Sequence, residues 1–222
     1  VPLTAIAFFM LTGELMTSAT ITDRLVALSR ALIGRIRGGL AQVNVLVSMF
    51  FAGMNGSVVA DTATVGALVL PAMKKAGYPA AFSAAVTGVS STIGGIIPPS
   101  IMMIVLANAT EISIASLFAA GIIPGILIGV VIMVINHYFA VKYNFERSDE
   151  PFSVRRAGKE LYRSSFALLI PLVLVGSVMG GVASVVEAGA ITALVALFTG
   201  VFVYRTIKWK DCTGAFRRAF RN

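Results

Sequence analysis

The chain has 222 residues, 57% of them hydrophobic and 13% charged, with a mean hydropathy of +0.89. Soluble domains carry about 25% charged and about 45–50% apolar residues, so a water-soluble globule, a disordered tail and a collagen-like fibre are excluded. The formal net charge of +8 does not point to nucleic acid, because the basic residues fall between apolar segments rather than on one soluble domain.

No Asp, Glu, Lys or Arg occurs from Gly38 to Ala60, Ala76 to Thr110, Ile112 to Val141 or Ser164 to Val186. A bilayer core of roughly 30 Å takes about 20 residues of helix, so these windows predict an all-α polytopic membrane protein. The opening VPLTAIAFFMLTGELM has neither an initiator Met nor a basic n-region, and reads as the interior of a longer chain. In chain order, apolar segments are expected at about Val1–Ala19, Gly38–Met54, Ser57–Met73, Pro79–Ala109, Ile114–Val141, Ser164–Gly181 and Ala188–Tyr204. No alternating strand pattern recurs, and the bilayer admits only helices or closed barrels. Between Thr20 and Arg37, Leu25, Leu28, Leu32 and Ile33 alternate with Arg24, Arg30, Arg35 and Arg37, which suits a helix lying at the membrane surface.

The basic residues fall into four groups: Arg24–Arg37, Lys74–Lys75, Lys142–Arg163 and Arg205–Arg221, which hold all 18 Lys and Arg. If Gly38–Met73 enters and returns, every group lands on one face, and the other face receives Glu111, Glu187 and no basic residue. The positive-inside rule then makes the basic face cytoplasmic.

Two segments depart from simple spans. The arms of Gly38–Met73 are short and meet at MNGSVVAD. They are either two spans joined by a tight turn or a re-entrant hairpin, whose tip must then be lined by protein or a wet cavity. Pro79–Ala109 is too long for one straight span and contains SSTIGGIIPPS. Gly94, Gly95, Pro98 and Pro99 interrupt the helix, since proline lacks the amide donor and glycine admits other dihedrals. This is either a structural kink or a broken helix of the kind that holds substrate and ion in secondary transporters, and the neighbouring hairpin favours the second reading. Asp61 follows one turn after Ser57. An ionisable group inside a span is a functional candidate, with hydrogen bonding into the hairpin as the plainer account. The lone Cys212 can form no internal disulfide, and the lone His137 has no partners for a metal site. With no catalytic constellation, no charge ring and no G-x-x-x-x-G-K-[ST] motif, an intramembrane enzyme, a passive channel and an ATP-binding pump are all disfavoured.

The stretches GELM, RIRGGLAQVNVLVSMFFAGMNGSVVADTATVGALVLPAMKKAGY, GGIIPPSIMMIVLANATEISIASLFAAGIIPGIL and VVEAGAITALVALFTGVFVYR together resemble the large membrane (permease) subunit of the tripartite ATP-independent periplasmic, or TRAP, transporters. The resemblance runs through nearly the whole chain. It implies an elevator-type secondary transporter fold of two inverted repeats, each with a re-entrant hairpin and a broken transmembrane helix. Residues 1–37 would then be a transmembrane helix and basic surface helix. Residues 38–163 would be the core of the first repeat: hairpin 38–73, broken helix 79–109, span 114–141 and basic cytoplasmic loop 142–163. Residues 164–222 would begin the second repeat, in a subunit roughly twice as long. The resemblance further implies a bacterial or archaeal cytoplasmic (inner) membrane and sodium as coupling ion, with no other cofactor or metal and no enzymatic activity. It implies as partners a small four-helix membrane subunit and a periplasmic solute-binding protein, with import of small organic anions such as dicarboxylates, 2-oxoacids or sialic acids. An ion-coupled transporter or channel-like protein working without a binding protein is the alternative.

On that reading Asn55, Gly56, Ser57, Thr92, Gly94, Gly95 and Pro98 are the expected sodium-site residues. A hard cation takes carbonyl and hydroxyl oxygens, and half-helix C-termini add negative dipole. Ser57, Pro99 and Ser100 stand where two helices would begin, so their positive N-terminal ends suit an anionic substrate; N-cap duty is the plainer role for both serines.

Overall fold

The computed structural model describes residues 3–34, 36–145, 153–206 and 214. Trp209, Cys212, Arg35 and the basic tail beyond Thr206 lie outside the described residues. The described chain is helical, with helices α1 (Leu3–Ser18), α2 (Ile21–Ile33), α3 (Gly39–Asn55), α4 (Val58–Lys75), α5 (Ala80–Ser91), α6 (Ile101–Thr110), α7 (Ile114–Lys142), α8 (Val154–Met179) and α9 (Val185–Phe198). A 3₁₀ turn, Thr92–Gly95, follows α5, and a π-helical turn, Thr199–Val203, extends α9. The segments 114–142, 154–179 and 185–203 are long and apolar enough to cross a bilayer. α1 and α2 meet at a 71° bend, where Thr20 takes a left-handed φ of 54°. This is an all-α membrane protein.

Two groups of helices emerge from the packing. α1 lies along α9, and α9 along α8. Their contact is close because Gly189 has no side chain: a Cβ there would stand 3.1 Å from Phe8 and 3.2 Å from the Phe9 ring. Ala5, Phe9, Leu174, Val178 and Ala188 form this group's core, joined by Ile104 and Phe118. The second group is the hairpin α3–α4 with α5, α6 and α7. α7 closes against it through Gly121, Gly125 and Gly129, whose missing side chains leave room for Ile96 and Met103, Ile97, and Met49 respectively. An aromatic cluster joins the start of α5 to the end of α7, with Tyr78 and Phe82 at 4.7 and 5.0 Å from the Phe145 ring.

α2 bridges the groups. Its buried face, Ile21, Thr22, Leu25, Leu28 and Ser29, packs on α8 and α3, while Arg30 on its other side is exposed. The Arg24 guanidinium lies 3.8 Å over the Tyr204 ring. The Tyr204 hydroxyl donates to the Arg163 carbonyl at 3.0 Å, and Thr206 donates to the Ala19 carbonyl at 2.8 Å.

The structure differs from the sequence expectation at one boundary. α8 begins at Val154, not Ser164, so Arg155, Arg156, Lys159 and Arg163, expected in a loop, occupy the first turns of a helix. Ser153 caps it by accepting from the Arg156 amide at 3.4 Å. A cap residue starts a helix whether or not its first turns are apolar.

Candidate functional site

The 17 residues of α3 and 18 of α4 form a hairpin that turns in two residues. Gly56 terminates α3 with φ +60°, a conformation that glycine adopts without penalty. Ser57 follows as N-cap of α4, its hydroxyl accepting from the Ala60 amide at 3.3 Å. The turn does not face open space. The Ile101 amide donates to the Gly56 carbonyl at 3.2 Å, and a Cβ on Gly56 would run into the Pro99 carbonyl and come within 2.9 Å of Ser100 Cα.

The partner of the hairpin is the break between α5 and α6. Here the helix tightens into the 3₁₀ turn and then leaves helical geometry, resuming at Ile101. Ser100 is the N-cap of α6: it accepts from the Met103 amide at 3.3 Å and donates to the Gly95 carbonyl at 2.8 Å. That second bond closes the break onto itself. Gly94 backs against Ser57 and Val58, 3.8 Å from a Cβ placed on it, and Gly95 against Val58 at 3.4 Å. Hairpin tip and break thus meet, with the N-termini of α4 and α6 and the C-terminal end of α3 brought together. The amide ends of two helices and the carbonyl end of a third thus lie side by side.

Gly56, Ser57, Gly94, Gly95, Pro99 and Ser100 lie in this contact, and the Pro98 carbonyl faces Gly53 of α3 at 3.7 Å from a Cβ placed there. Asn55 ends α3, while its side chain lies outside what the structure describes. Thr92 points elsewhere: its side chain is exposed and its hydroxyl donates to the Val89 carbonyl at 2.7 Å within its own helix. His137 is exposed on α7. An open trough of about 720 Å³ along α4 and α5, lined by Thr62, Gly66, Lys74 and Ser83 among others, includes none of the tip or break residues.

One group at this site acquires its meaning only in three dimensions. Asp61 is completely buried, and its carboxylate oxygens make no close, well-aligned hydrogen bond among the described residues. The hydroxyls of Ser48 on α3 and Ser91 on α5 reach it as long, weak hydrogen-bonding neighbours. Beside them runs a buried polar seam. Asn44 Nδ2 donates to Thr87 Oγ1 at 2.7 Å, and its Oδ1 accepts from Ser90 Oγ at 3.2 Å. Ser48 Oγ donates to Ser90 Oγ at 3.3 Å. The sequence signal for this seam is the spacing of polar residues at 44 and 48 and at 83, 87, 90 and 91, one face of each helix. An unpaired buried carboxylate costs several kcal/mol of desolvation, so this one calls for a cation or a proton.

Comparison with known proteins identifies the family. Residues 1–221 match the family described as "Tripartite ATP-independent periplasmic transporter, DctM component". The chain is 37% identical to the C4-dicarboxylate TRAP transporter large permease protein DctM of Pseudomonas aeruginosa, over 95% of this chain and 49% of that protein. It is 37% identical to the sialic acid TRAP transporter large permease protein SiaM of Vibrio cholerae, over 92% and 48%. The same identity holds to the 2,3-diketo-L-gulonate TRAP transporter large permease protein YiaN of Escherichia coli, over 91% and 48%. The chain spans about half the length of these relatives, which are transport permeases and not enzymes. The match along its whole length places this chain in the DctM-component family of the tripartite ATP-independent periplasmic transporters.

Proposed function

We propose that this chain forms one half of the ion and substrate site of a sodium-coupled importer of small organic anions, working with a small four-helix membrane subunit and a periplasmic solute-binding protein. The observation that carries the reading is the seating of the hairpin tip on the broken helix beside a buried carboxylate with no cationic side chain paired to it among the described residues. Carbonyls at the end of α3 and in the break, together with Asp61, supply oxygen ligands and negative charge for sodium. The N-termini of α4 and α6, capped by Ser57 and Ser100, supply amide donors for an anion. Sodium bound here fixes tip to break, and the anion site is thereby completed. The three relatives are named for a C4-dicarboxylate, a sialic acid and a diketogulonate, and all three substrates are carboxylates at neutral pH.

In the same reading α3–α7 is the moving body of an elevator and α1, α8 and α9 belong to the fixed one, in a bacterial or archaeal inner membrane with the basic loops cytoplasmic. The test is uptake of labelled organic anions into proteoliposomes holding the full-length permease and its small subunit, with the binding protein outside, an imposed sodium gradient and no ATP. The reading requires uptake that depends on sodium and on the binding protein and that falls in Ser57→Ala and Gly95→Ala. Uptake indifferent to sodium overturns it.

A further inference from the structure

We propose that Gln42 and Asn44 are positioning residues that set the register of the hairpin on the broken helix, and so decide whether the tip meets the break. The functional side of this rests on the reading of tip and break as the ion site.

Most of the buried surface of α3 has no means of choosing a register. Ala41, Val45, Val47 and Ala52 are fully buried, and apolar contacts are non-directional. A slip of one helical turn, about 5.4 Å, exchanges one small or branched side chain for another. The same slip carries Gly56 away from the Pro99 carbonyl and the Ile101 amide that it meets. Lipid does not correct it, because hydrocarbon is as good a neighbour for an apolar side chain as protein is.

Two residues of the helix behave differently. Asn44 is fully buried and Gln42 nearly so. Two positions apart on an α-helix, they point about 200° from one another and reach different neighbours. The Asn44 amide lies 2.7 Å from Thr87 Oγ1 and 3.2 Å from Ser90 Oγ, both on α5, with Met73 Sδ of α4 at 3.8 Å. A hydroxyl both donates and accepts, so this pair matches the amide whichever way round it is placed. The fit owes nothing to where the hydroxyl hydrogens point. On the other side of α3, Gln42 Nε2 donates to the Met133 carbonyl of α7 at 2.8 Å. α3 is therefore held from two sides, by the helix that carries the break and by the helix that closes over it. Gly56 follows Asn44 by twelve residues, about 18 Å of helix, so these amides act through the hairpin and not on the ion. Buried polar side chains used in this way lend specificity more than stability, as a single buried Asn does in fixing the register of a coiled coil.

The partners make this role separable from folding. Thr87 Oγ1 and Ser90 Oγ each keep a carbonyl of α5 within reach, at 2.9 and 3.1 Å, and Met133 lies inside α7. Replacing both amides by leucine therefore strands none of these groups, and other registers come within reach of the folded protein.

The test uses the full-length permease with its small subunit, otherwise free of cysteine and spin-labelled at Val59→Cys and Met102→Cys. Both positions are exposed, at the starts of α4 and α6. The parent is expected to give a single label-to-label distance. Gln42→Leu/Asn44→Leu is expected to spread it over two or more, and saturating sodium to restore the single one. The apparent Kd for radiolabelled sodium should rise about tenfold, the scale of two interhelical hydrogen bonds, with the number of sites unchanged. An ion that selects the in-register fraction gives that pattern, whereas a merely structural defect lowers the number of sites and leaves Kd alone. An unaltered single distance in the double variant, or fewer sites at unchanged Kd, overturns the inference. If the double variant does not fold, Asn44→Leu alone is expected to raise the apparent Kd about threefold and is judged by the same outcomes. A spread of distances in the variant of a permease whose parent binds no sodium supports the register role and removes the ion reading beneath it.

Discussion

The two helix groups bury different chemistry. Between α1, α8 and α9 the contact is made by Phe8, Phe9, Leu174, Val178 and Ala188 closing on Gly189, and its tightness is a matter of shape. Between α3, α4 and α5 the buried residues include Asn44, Ser48, Asp61, Thr87, Ser90 and Ser91. In a bilayer, apolar groups gain little from leaving lipid for protein, so helices associate through close packing and hydrogen bonds. Glycine and alanine meet that need without a charge. A carboxylate adds a desolvation cost that packing alone does not offset. The contrast therefore separates a frame from a site, and it can be broken by substitutions that touch one group and spare the other.

The largest effect is expected at the hairpin tip. Gly56→Val places a branched side chain at φ +60° and against the Pro99 carbonyl, so tip and break cannot close. Uptake in proteoliposomes should fall to background, while size-exclusion chromatography still shows a monodisperse protein. Asp61→Asn comes next. The carboxylate is replaced by a neutral group of the same shape, and the sodium concentration for half-maximal uptake should rise by more than about tenfold, on the scale of a lost charge-assisted contact. Gly189→Leu tests the other side. It overpacks against Phe8 and Phe9 and should cost about 1–3 kcal/mol of stability, seen as a lower melting temperature with the sodium dependence of the folded fraction unchanged. A shift in sodium dependence there would erase the distinction between frame and site. The smallest effect is expected at Ser184, which caps α9 in a reciprocal pair with Glu187: Ser184 accepts from the Glu187 amide at 3.3 Å and its own amide donates to the Glu187 carboxylate at 2.7 Å. Ser184→Ala should cost about 1 kcal/mol, measured by thermal unfolding, with no effect on uptake at ambient temperature.

Much of the fold is written in local pattern. Uncharged windows of the right length mark α3 and α7, and the Gly and Pro residues of SSTIGGIIPPS mark the interruption between α5 and α6. Ser57 and Ser100 are legible as helix starts because capping needs only a hydroxyl and the amide three residues on. The start of α8 is not legible by hydropathy, since Arg155, Arg156 and Lys159 look the same on the first turns of a helix as in a loop. Thr92 stands at the break by its position, yet a hydroxyl can always turn back on its own helix, as this one does on Val89. The surroundings of Asp61 are the least legible part. They come from Ser48 and Ser91, thirteen residues before it and thirty after, and only the crossing of α3 and α5 decides that both serines flank the carboxylate.

Equilibrium binding of radiolabelled sodium to the purified full-length permease with its small subunit tests the central claim most directly. Saturable binding is expected that loses one class of sites in Asp61→Asn and keeps its full stoichiometry and affinity in Gly189→Leu. Undiminished binding in Asp61→Asn would contradict it.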